Sequence, residues 1–264
     1  MKKFTLLVMA ALAVAGCQQE AQAPSEAKAQ PEAEPLKQVG KPASRANVEA
    51  PISDANWERE LAWVDEGAMV DGRTSISTAR SVEEAQWLQR QGFLTRSKID
   101  YLKSLGPAEV ERLARAGNRD AILFLGDQLI KDGRGDLVVR ALNHLIDKEA
   151  SIPALHLRAR YKTSKVVEVP SELPTDSWQW RDAAFESSRS KIDVASDYFA
   201  AYLLGDYRGS QIGTKMFSYE GSGAVPPAVY TEAARKVARM AQSGHPIKLD
   251  PRPIPEEANG VQDF

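Results

Sequence analysis

The sequence predicts an all-α protein made of stacked antiparallel helix pairs, and three observations lead to this prediction. Apolar residues recur at helical spacing through residues 51–244, and glycine or proline interrupts the pattern about every 10–15 residues. No run shows sustained alternation of apolar and polar residues, and the one strand-like fragment, residues 165–169, is short. The composition, with 43% hydrophobic and 27% charged residues in a chain of 264, is that of an ordinary globular protein.

The individual helices are bounded by residues that cap or break helices. Ser53 can cap a first helix that places Trp57, Leu61 and Val64 on one face, and Ser81 begins a capping-box pattern. Later helices are expected from Ser81 to Gly92, Ile99 to Gly106, Pro107 to Gly117, Asn118 to Gly133, Asp136 to Glu149, Ser151 to Tyr161, Trp178 to Ser188, Ile192 to Leu204 and Pro227 to Gly244.

Three stretches are predicted to lie outside the helices. Residues 163–176 contain two prolines, and residues 207–226 contain glycine and serine, so both are expected to form long loops. The tail over 245–264 holds four prolines and is expected to be extended or disordered.

The N-terminus has the pattern of an export signal. Lys2 and Lys3 precede an apolar run over residues 4–14 that is shorter than the roughly 20 residues a membrane-spanning helix needs. Residues 14–17, Val-Ala-Gly-Cys, resemble the lipobox of bacterial lipoproteins. The resemblance implies that residues 1–16 are removed, that Cys17 carries the lipid, and that the chain is anchored to a membrane. An ordinary secretory signal with a chance cysteine is the alternative, although Cys17 is the only cysteine.

The residue after the lipidated cysteine bears on the destination. In the enterobacterial sorting pattern an aspartate there retains a lipoprotein in the inner membrane, and this chain has Gln18 instead. The resemblance therefore implies an outer-membrane location facing the periplasm.

Residues 17–50 are expected to form a disordered tether. Residues 18–50 hold 8 Ala, 4 Pro, 5 Gln and 5 Glu and no aromatic residue, so they cannot bury enough apolar surface to offset the entropy of ordering. The helical domain is then expected over residues 51–244, and the proline-rich tail over residues 245–264.

The second half of the helical domain contains weakly similar units. Ala121-x-x-x-Leu125-Gly126 is followed by Ala154-x-x-Leu157 and by Ala195-x-x-x-Phe199. From about residue 118 the chain resembles tetratricopeptide-like repeats of the short Sel type, although Leu129 stands where that signature has tyrosine. The resemblance implies a concave surface that binds a protein partner. A short α-solenoid and an irregular helical bundle both remain open.

Residues suited to catalysis are few. The three histidines, His144, His156 and His245, belong to no metal-binding or protease motif, and the Ser-x-x-Lys spacing at Ser188 lacks its companion motifs. The sequence predicts a protein that is not an enzyme and that needs no cofactor or metal. A formal charge of −2 also argues against nucleic-acid binding.

Two groups of residues are candidates for recognition of a partner. The first is aromatic, because tryptophan, tyrosine and arginine are the residues that dominate binding hot spots; it comprises Trp178, Trp180, Tyr198, Tyr202 and Tyr207. The second is a basic cluster that includes Arg158 and Arg160. Core filling by the aromatic residues and a solvated helix end for the basic ones are the alternatives.

These features suggest an outer-membrane-anchored periplasmic lipoprotein whose helical domain binds a periplasmic or cell-envelope protein as a scaffold or adaptor. A lipoprotein that inhibits a cell-wall hydrolase through a protruding loop, 163–176 or 206–226, is one alternative. An accessory enzyme of peptidoglycan metabolism is another.

Replacement of the single thiol tests the lipid anchor. Cys17→Ser is expected to abolish labelling with radioactive palmitate and to leave an unprocessed or soluble protein, since no other thiol can accept the lipid. Membrane fractionation with palmitate labelling measures both effects. Persistent label on the variant would contradict the lipobox assignment.

Overall fold

The computed structural model describes residues 51–60, 79–218, 224–244 and 247–254. They belong to a compact unit that spans Asn47–Phe264. Within these ranges the chain forms nine α-helices and one 3-10 turn and no strand, which confirms the all-α prediction. The signal peptide, Cys17 and the tether lie outside the described residues, as do Leu61 and Val64 of the first predicted helix.

Residues 54–60, where the first helix is expected after Ser53, form turns instead, whereas the helices from residue 82 to residue 163 follow the predicted order closely. Four of the first six, α1, α2, α4 and α6, begin after a serine, threonine or asparagine whose side chain accepts a hydrogen bond from a backbone N–H of the first turn. The bounds are α1 Val82–Arg90, α2 Arg96–Leu105, α3 Pro107–Arg115, α4 Arg119–Lys131, a 3-10 turn Gly135–Leu137, α5 Val139–Glu149, α6 Ile152–Thr163, α7 Trp178–Leu203, α8 Tyr207–Ser218 and α9 Pro227–Gln242.

Helices that are neighbours in sequence pack against each other, in particular α3 with α4, α5 with α6, α6 with α7, and α7 with α8. The small residues of the repeat-like units lie at these contacts, because Ala121, Ala154 and Ala195 are each 0% exposed. A Cβ atom on Gly126 would lie 3.4 Å from a methyl group of Val138, so α4 approaches the start of α5 closely. Small residues therefore do let neighbouring helices pack tightly, as the sequence predicts.

Two predicted boundaries in the second half are wrong. The helices expected over 178–188 and 192–204 form one continuous helix, α7, of 26 residues. Ser188 and Ser190 lie inside it, and the Ser190 hydroxyl donates to the carbonyl oxygen of Glu186 at 2.8 Å. This bond satisfies the hydroxyl without breaking the helix.

The loop expected over 207–226 is helical over its first twelve residues, as α8. The two glycines within α8, Gly209 and Gly213, serve helix packing and not a turn. A Cβ atom on Gly209 would come within 2.3 Å of the Tyr198 carbonyl oxygen, and one on Gly213 within 2.8 Å of the Phe199 ring. Only glycine allows α8 to approach α7 this closely.

The segments without helix agree in part with the sequence. Residues 165–169 form no strand. Residues 247–254 form neither helix nor strand, and Arg252 is only 3% exposed, so this segment is anchored to the domain. In the part of the chain that the structure describes, no helix combines the length and apolar character needed to cross a membrane.

Leu142 and Leu137 provide a matched test of the core. Leu142 is 0% exposed in the main apolar cluster, whereas Leu137 is 64% exposed. We expect Leu142→Ala to lower the free energy of unfolding by about 2–5 kcal/mol, because the lost methyl groups leave a cavity. Leu137→Ala is expected to change it by less than about 0.5 kcal/mol. Urea unfolding monitored by circular dichroism measures both, and equal losses would contradict this core.

Candidate functional site

The first half of α7 carries the most exposed aromatic residues of the described chain. Trp178 is 71% exposed and Phe185 is 66% exposed. They are seven residues apart, which is two helical turns, so they share one side of the helix. Arg181 and Asp182 lie between them and are exposed too. We call Trp178, Arg181, Asp182 and Phe185 the α7 aromatic face.

Burial along α7 explains why this face is open. Every residue from Val194 to Ala201 is buried, whereas most residues from Trp178 to Glu186 are exposed or half-buried. The helix therefore packs against its neighbours mainly through its second half. Ser177 fixes the start of the helix, because its hydroxyl accepts a hydrogen bond from the Trp180 amide at 3.1 Å.

A groove adjoins this region between α7 and α9. It has a volume of 720 Å³. Seven of its nine lining residues are polar or charged, and they carry both signs of charge. The lining residues are Glu186, Arg189, Ser190, Ile192 and Asp193 of α7 and Ala228, Thr231, Glu232 and Arg235 of α9.

The other aromatic candidates are divided between surface and interior. Tyr202 is 45% exposed, and Trp180 is half-buried. Tyr198 is 7% exposed, and burial raises the pKa of its hydroxyl to about 12. The Tyr207 hydroxyl donates to the Glu84 carboxylate at 3.3 Å. Tyr198 and Tyr207 thus take part in internal packing and hydrogen bonding, and the α7 aromatic face includes neither.

The two arginine candidates also make internal contacts. Arg158 donates to both carboxylate oxygens of Asp197, at 2.9 Å and 2.7 Å, and Arg160 donates to Asp127 at 2.7 Å. The Arg158 side chain is 11% exposed and that of Arg160 is 35% exposed. Arg158 therefore serves the interior, and the basic cluster does not form one exposed surface.

Asp197 is the centre of a buried ionic network that joins three helices. Besides Arg158 of α6, it contacts Lys162 of α6 at 3.0 Å and Lys236 of α9 at 2.6 Å. Burial alone would raise the pKa of Asp197, but the positive charges of Arg158, Lys236 and Lys162 lower it to about 2. Asp193, one turn earlier on α7, accepts hydrogen bonds from Lys162 at 2.8 Å and Lys236 at 3.1 Å.

A second buried network joins the two ends of the described domain. Arg252 donates to Glu84 of α1 at 2.7 Å and to Asp206 at 3.1 Å. Arg208 lies 3.0 Å from the same Glu84 oxygen, and His156 lies 2.8 Å from Asp206. Burial would raise the pKa of Asp206, but the hydrogen bond with His156 and the charge of Arg252 lower it.

Sequence reasoning overlooked Phe185 and Tyr230, which are both exposed. Phe185 could have been found, because it repeats the position of Trp178 after two turns. Tyr230 of α9 is 51% exposed and its ring lies 4.9 Å from that of Phe199, a contact that no local pattern indicates.

Other kinds of site have less support. Within the described ranges, no three His, Cys, Asp or Glu side chains form a group that could hold a metal ion. Comparison of the chain with protein-family models, with curated proteins and with solved structures finds no match.

The pKa of Asp197 predicts how stability depends on pH. Its pKa in the folded protein is lowered from 3.8 to about 2, so its charge stabilises the fold above about pH 4, and this contribution disappears as the pH falls towards 2. The contribution at neutral pH is about 2 kcal/mol. Asp197→Asn is expected to unfold at lower urea concentration at pH 7, and its difference from the unmodified protein should shrink between pH 4 and pH 2.

Asp100→Asn is the control, because Asp100 is exposed on α2. Its urea midpoint is expected to follow that of the unmodified protein at each pH. A difference between Asp197→Asn and the unmodified protein that stays constant from pH 7 to pH 2 would contradict the assigned pKa.

Proposed function

We propose that the chain is a lipoprotein of the outer membrane whose helical domain, on the periplasmic side, binds a protein partner without catalysing a reaction. The observation that carries the proposal is the α7 aromatic face, where Trp178 is 71% and Phe185 is 66% exposed on one side of a single helix. Large exposed apolar side chains that lie together are typical of interaction sites.

The chemistry of the α7 aromatic face suits a protein partner. Tryptophan and phenylalanine have few rotatable bonds, so fixing them on binding costs little entropy for the area they bury. Arg181 and Asp182 lie on the same side and can make polar contacts around the aromatic residues. The continuous helix holds all four residues at fixed spacing, which reduces the entropy lost on association.

The inhibitor hypothesis is supported by the segment just before α7. Within residues 164–177, Val167 is 43% exposed, and most of its neighbours are exposed as well. This segment leads directly into Trp178. A hydrolase blocked by this loop would therefore also contact the α7 aromatic face, and inhibition would be one form of partner binding.

Photocrosslinking in living cells tests the proposal. A photoreactive amino acid in place of Phe185 is expected to give one dominant protein adduct on illumination. The same amino acid in place of Tyr101, which is 41% exposed on α2, is expected to give none. Mass spectrometry of the adduct identifies the partner and shows whether it is a cell-wall hydrolase.

The affinity of the Trp178→Ala protein for the purified partner measures how much this residue contributes to binding. Loss of an anchor residue typically costs about 2 kcal/mol or more, or roughly thirtyfold in affinity. Because Trp178 is exposed, its replacement should leave the urea midpoint unchanged. Equal adducts at positions 185 and 101, or undiminished affinity of a folded Trp178→Ala protein, would show that the partner binds elsewhere.

A further inference from the structure

The segment 247–254, which we call the strap, inserts Arg252 into a socket formed by Glu84, Trp87, Asp206 and Tyr207. Arg252 is 3% exposed and donates to the carboxylates of Glu84 and Asp206. Its guanidinium carbon lies 5.4 Å from the centre of the Trp87 ring and 5.7 Å from that of Tyr207. Two carboxylates and two aromatic rings together make a site that fits a planar cation.

The same surface also contacts the residue two positions earlier in the strap. The Asp250 carboxylate accepts a hydrogen bond from the Gln91 side chain at 3.0 Å and from Arg90 at 3.4 Å. The Trp87 indole N–H donates to the Asp250 carbonyl oxygen at 2.7 Å. Both the side chain and the backbone of Asp250 are therefore recognised.

The backbone of the strap lies against a turn that is shaped for it. The Arg252 amide donates to the Gly205 carbonyl oxygen at 2.9 Å. Gly205 has φ +115°, and a Cβ atom there would come within 2.5 Å of the Asp250 carbonyl oxygen. Glycine at this position thus permits both the turn and the close approach of a second backbone.

Ile247 packs against the main apolar cluster, and the other specific contacts of the strap are polar. Leu249 is 65% exposed and Ile254 is 55% exposed, so these large apolar side chains contribute little to its attachment. Pro251, between the two recognised residues, is exposed. What the surface recognises is an extended segment with aspartate and arginine separated by one residue.

We propose that Glu84, Trp87, Gln91, Gly205 and Asp206 form a binding site for an extended Asp-x-Arg segment. The chain's own strap occupies this site, and an Asp-x-Arg segment of a protein partner competes for it. The strap then regulates access to the site, since a partner gains entry only by displacing Arg252. This site shares no residue with the α7 aromatic face, so the two proposals can fail separately.

The electrostatics of the socket explain why an arginine is needed. Glu84 and Asp206 are each 0% exposed, and Arg208 also lies 3.0 Å from Glu84, so loss of Arg252 would remove one of two guanidinium groups that balance two buried carboxylates. A lysine would supply the charge but could not donate to both carboxylates from a planar group between two rings. Exchange of one arginine for another avoids this penalty.

A labelled peptide tests the site in the full chain. The peptide has the sequence of residues 247–254, and its binding is measured by fluorescence anisotropy. The Arg252→Ala chain is expected to bind it at least tenfold more tightly than the unmodified chain, whose own arginine fills the socket. A peptide with alanine at the arginine position is expected to bind the Arg252→Ala chain about thirtyfold more weakly.

A peptide with alanine in place of leucine at position 249 is the matched control, and its affinity is expected to be unchanged because Leu249 is exposed. Equal binding of the original peptide to both chains, absence of binding, or binding that does not depend on the arginine would each overturn the proposal.

Hydrogen exchange keeps the test valid if Arg252→Ala does not fold. In the unmodified chain, excess peptide is expected to increase exchange of the amides within residues 247–254, while exchange in the second half of α7 stays constant. The alanine-substituted peptide is expected to have no effect. If saturating peptide left the exchange rate of the strap amides unchanged, the peptide would not displace the strap, and the proposal would be wrong.

Discussion

The position of α7 depends on a single buried carboxylate. Asp197 accepts hydrogen bonds from Arg158 of α6 and Lys236 of α9, and Lys162 lies 3.0 Å away. The cost of removing these charges from water offsets much of their attraction, so the net contribution of Asp197 is modest, about 2 kcal/mol at neutral pH. Its effect is geometric, since any shift of α6, α7 or α9 along its axis would separate Asp197 from a cation and leave a buried charge unpaired. The three helices are thereby held in one register.

The position of the exposed first half of α7 is determined by the packing of its buried second half. The helix is 26 residues long, or about 39 Å at 1.5 Å per residue, and its buried stretch from Val194 to Ala201 lies near the C-terminal end. On that half, Gly209 and Gly213 bring α8 against Tyr198 and Phe199. A helix that is firmly packed at one end presents residues at its other end without a flexible joint between them. Trp178 and Phe185 are therefore placed by contacts that lie several turns away.

Much of the fold could be predicted from the sequence, because the determinants of single helices are local. Serine or asparagine caps such as Asn118 and Ser151, together with the apolar spacing after them, indicate helix positions within a few residues. The prediction was wrong where residues that usually indicate a turn instead make contacts between helices. Gly209 and Gly213 indicate a loop when only the sequence is considered, yet they are sites of close contact between helices.

The residues of the candidate sites also divide into those that local sequence patterns indicate and those whose role depends on distant residues. Exposure of Trp178 could be suggested by its position beside a long loop, and Phe185 follows from helical spacing. The burial of Tyr198 and the role of Arg158 could not be predicted, since both depend on residues of other helices. Asp197, for example, lies 39 residues after Arg158 in the chain. Nothing near Arg252 in the sequence indicates that it reaches Glu84, which is 168 residues away.

This last contact bears on the choice between a repeat array and an irregular bundle. In a stack of helical repeats each unit contacts only its neighbours, so the first and last units are not in direct contact. The packing of α3 with α4, α5 with α6 and α6 with α7 follows that scheme. The strap does not, because Arg252 bonds to α1 and to the turn before α8 at once. Loss of the strap would therefore loosen α1 and the turn before α8 together, which is the behaviour of one cooperative bundle, and the contact favours an irregular helical bundle over an open array.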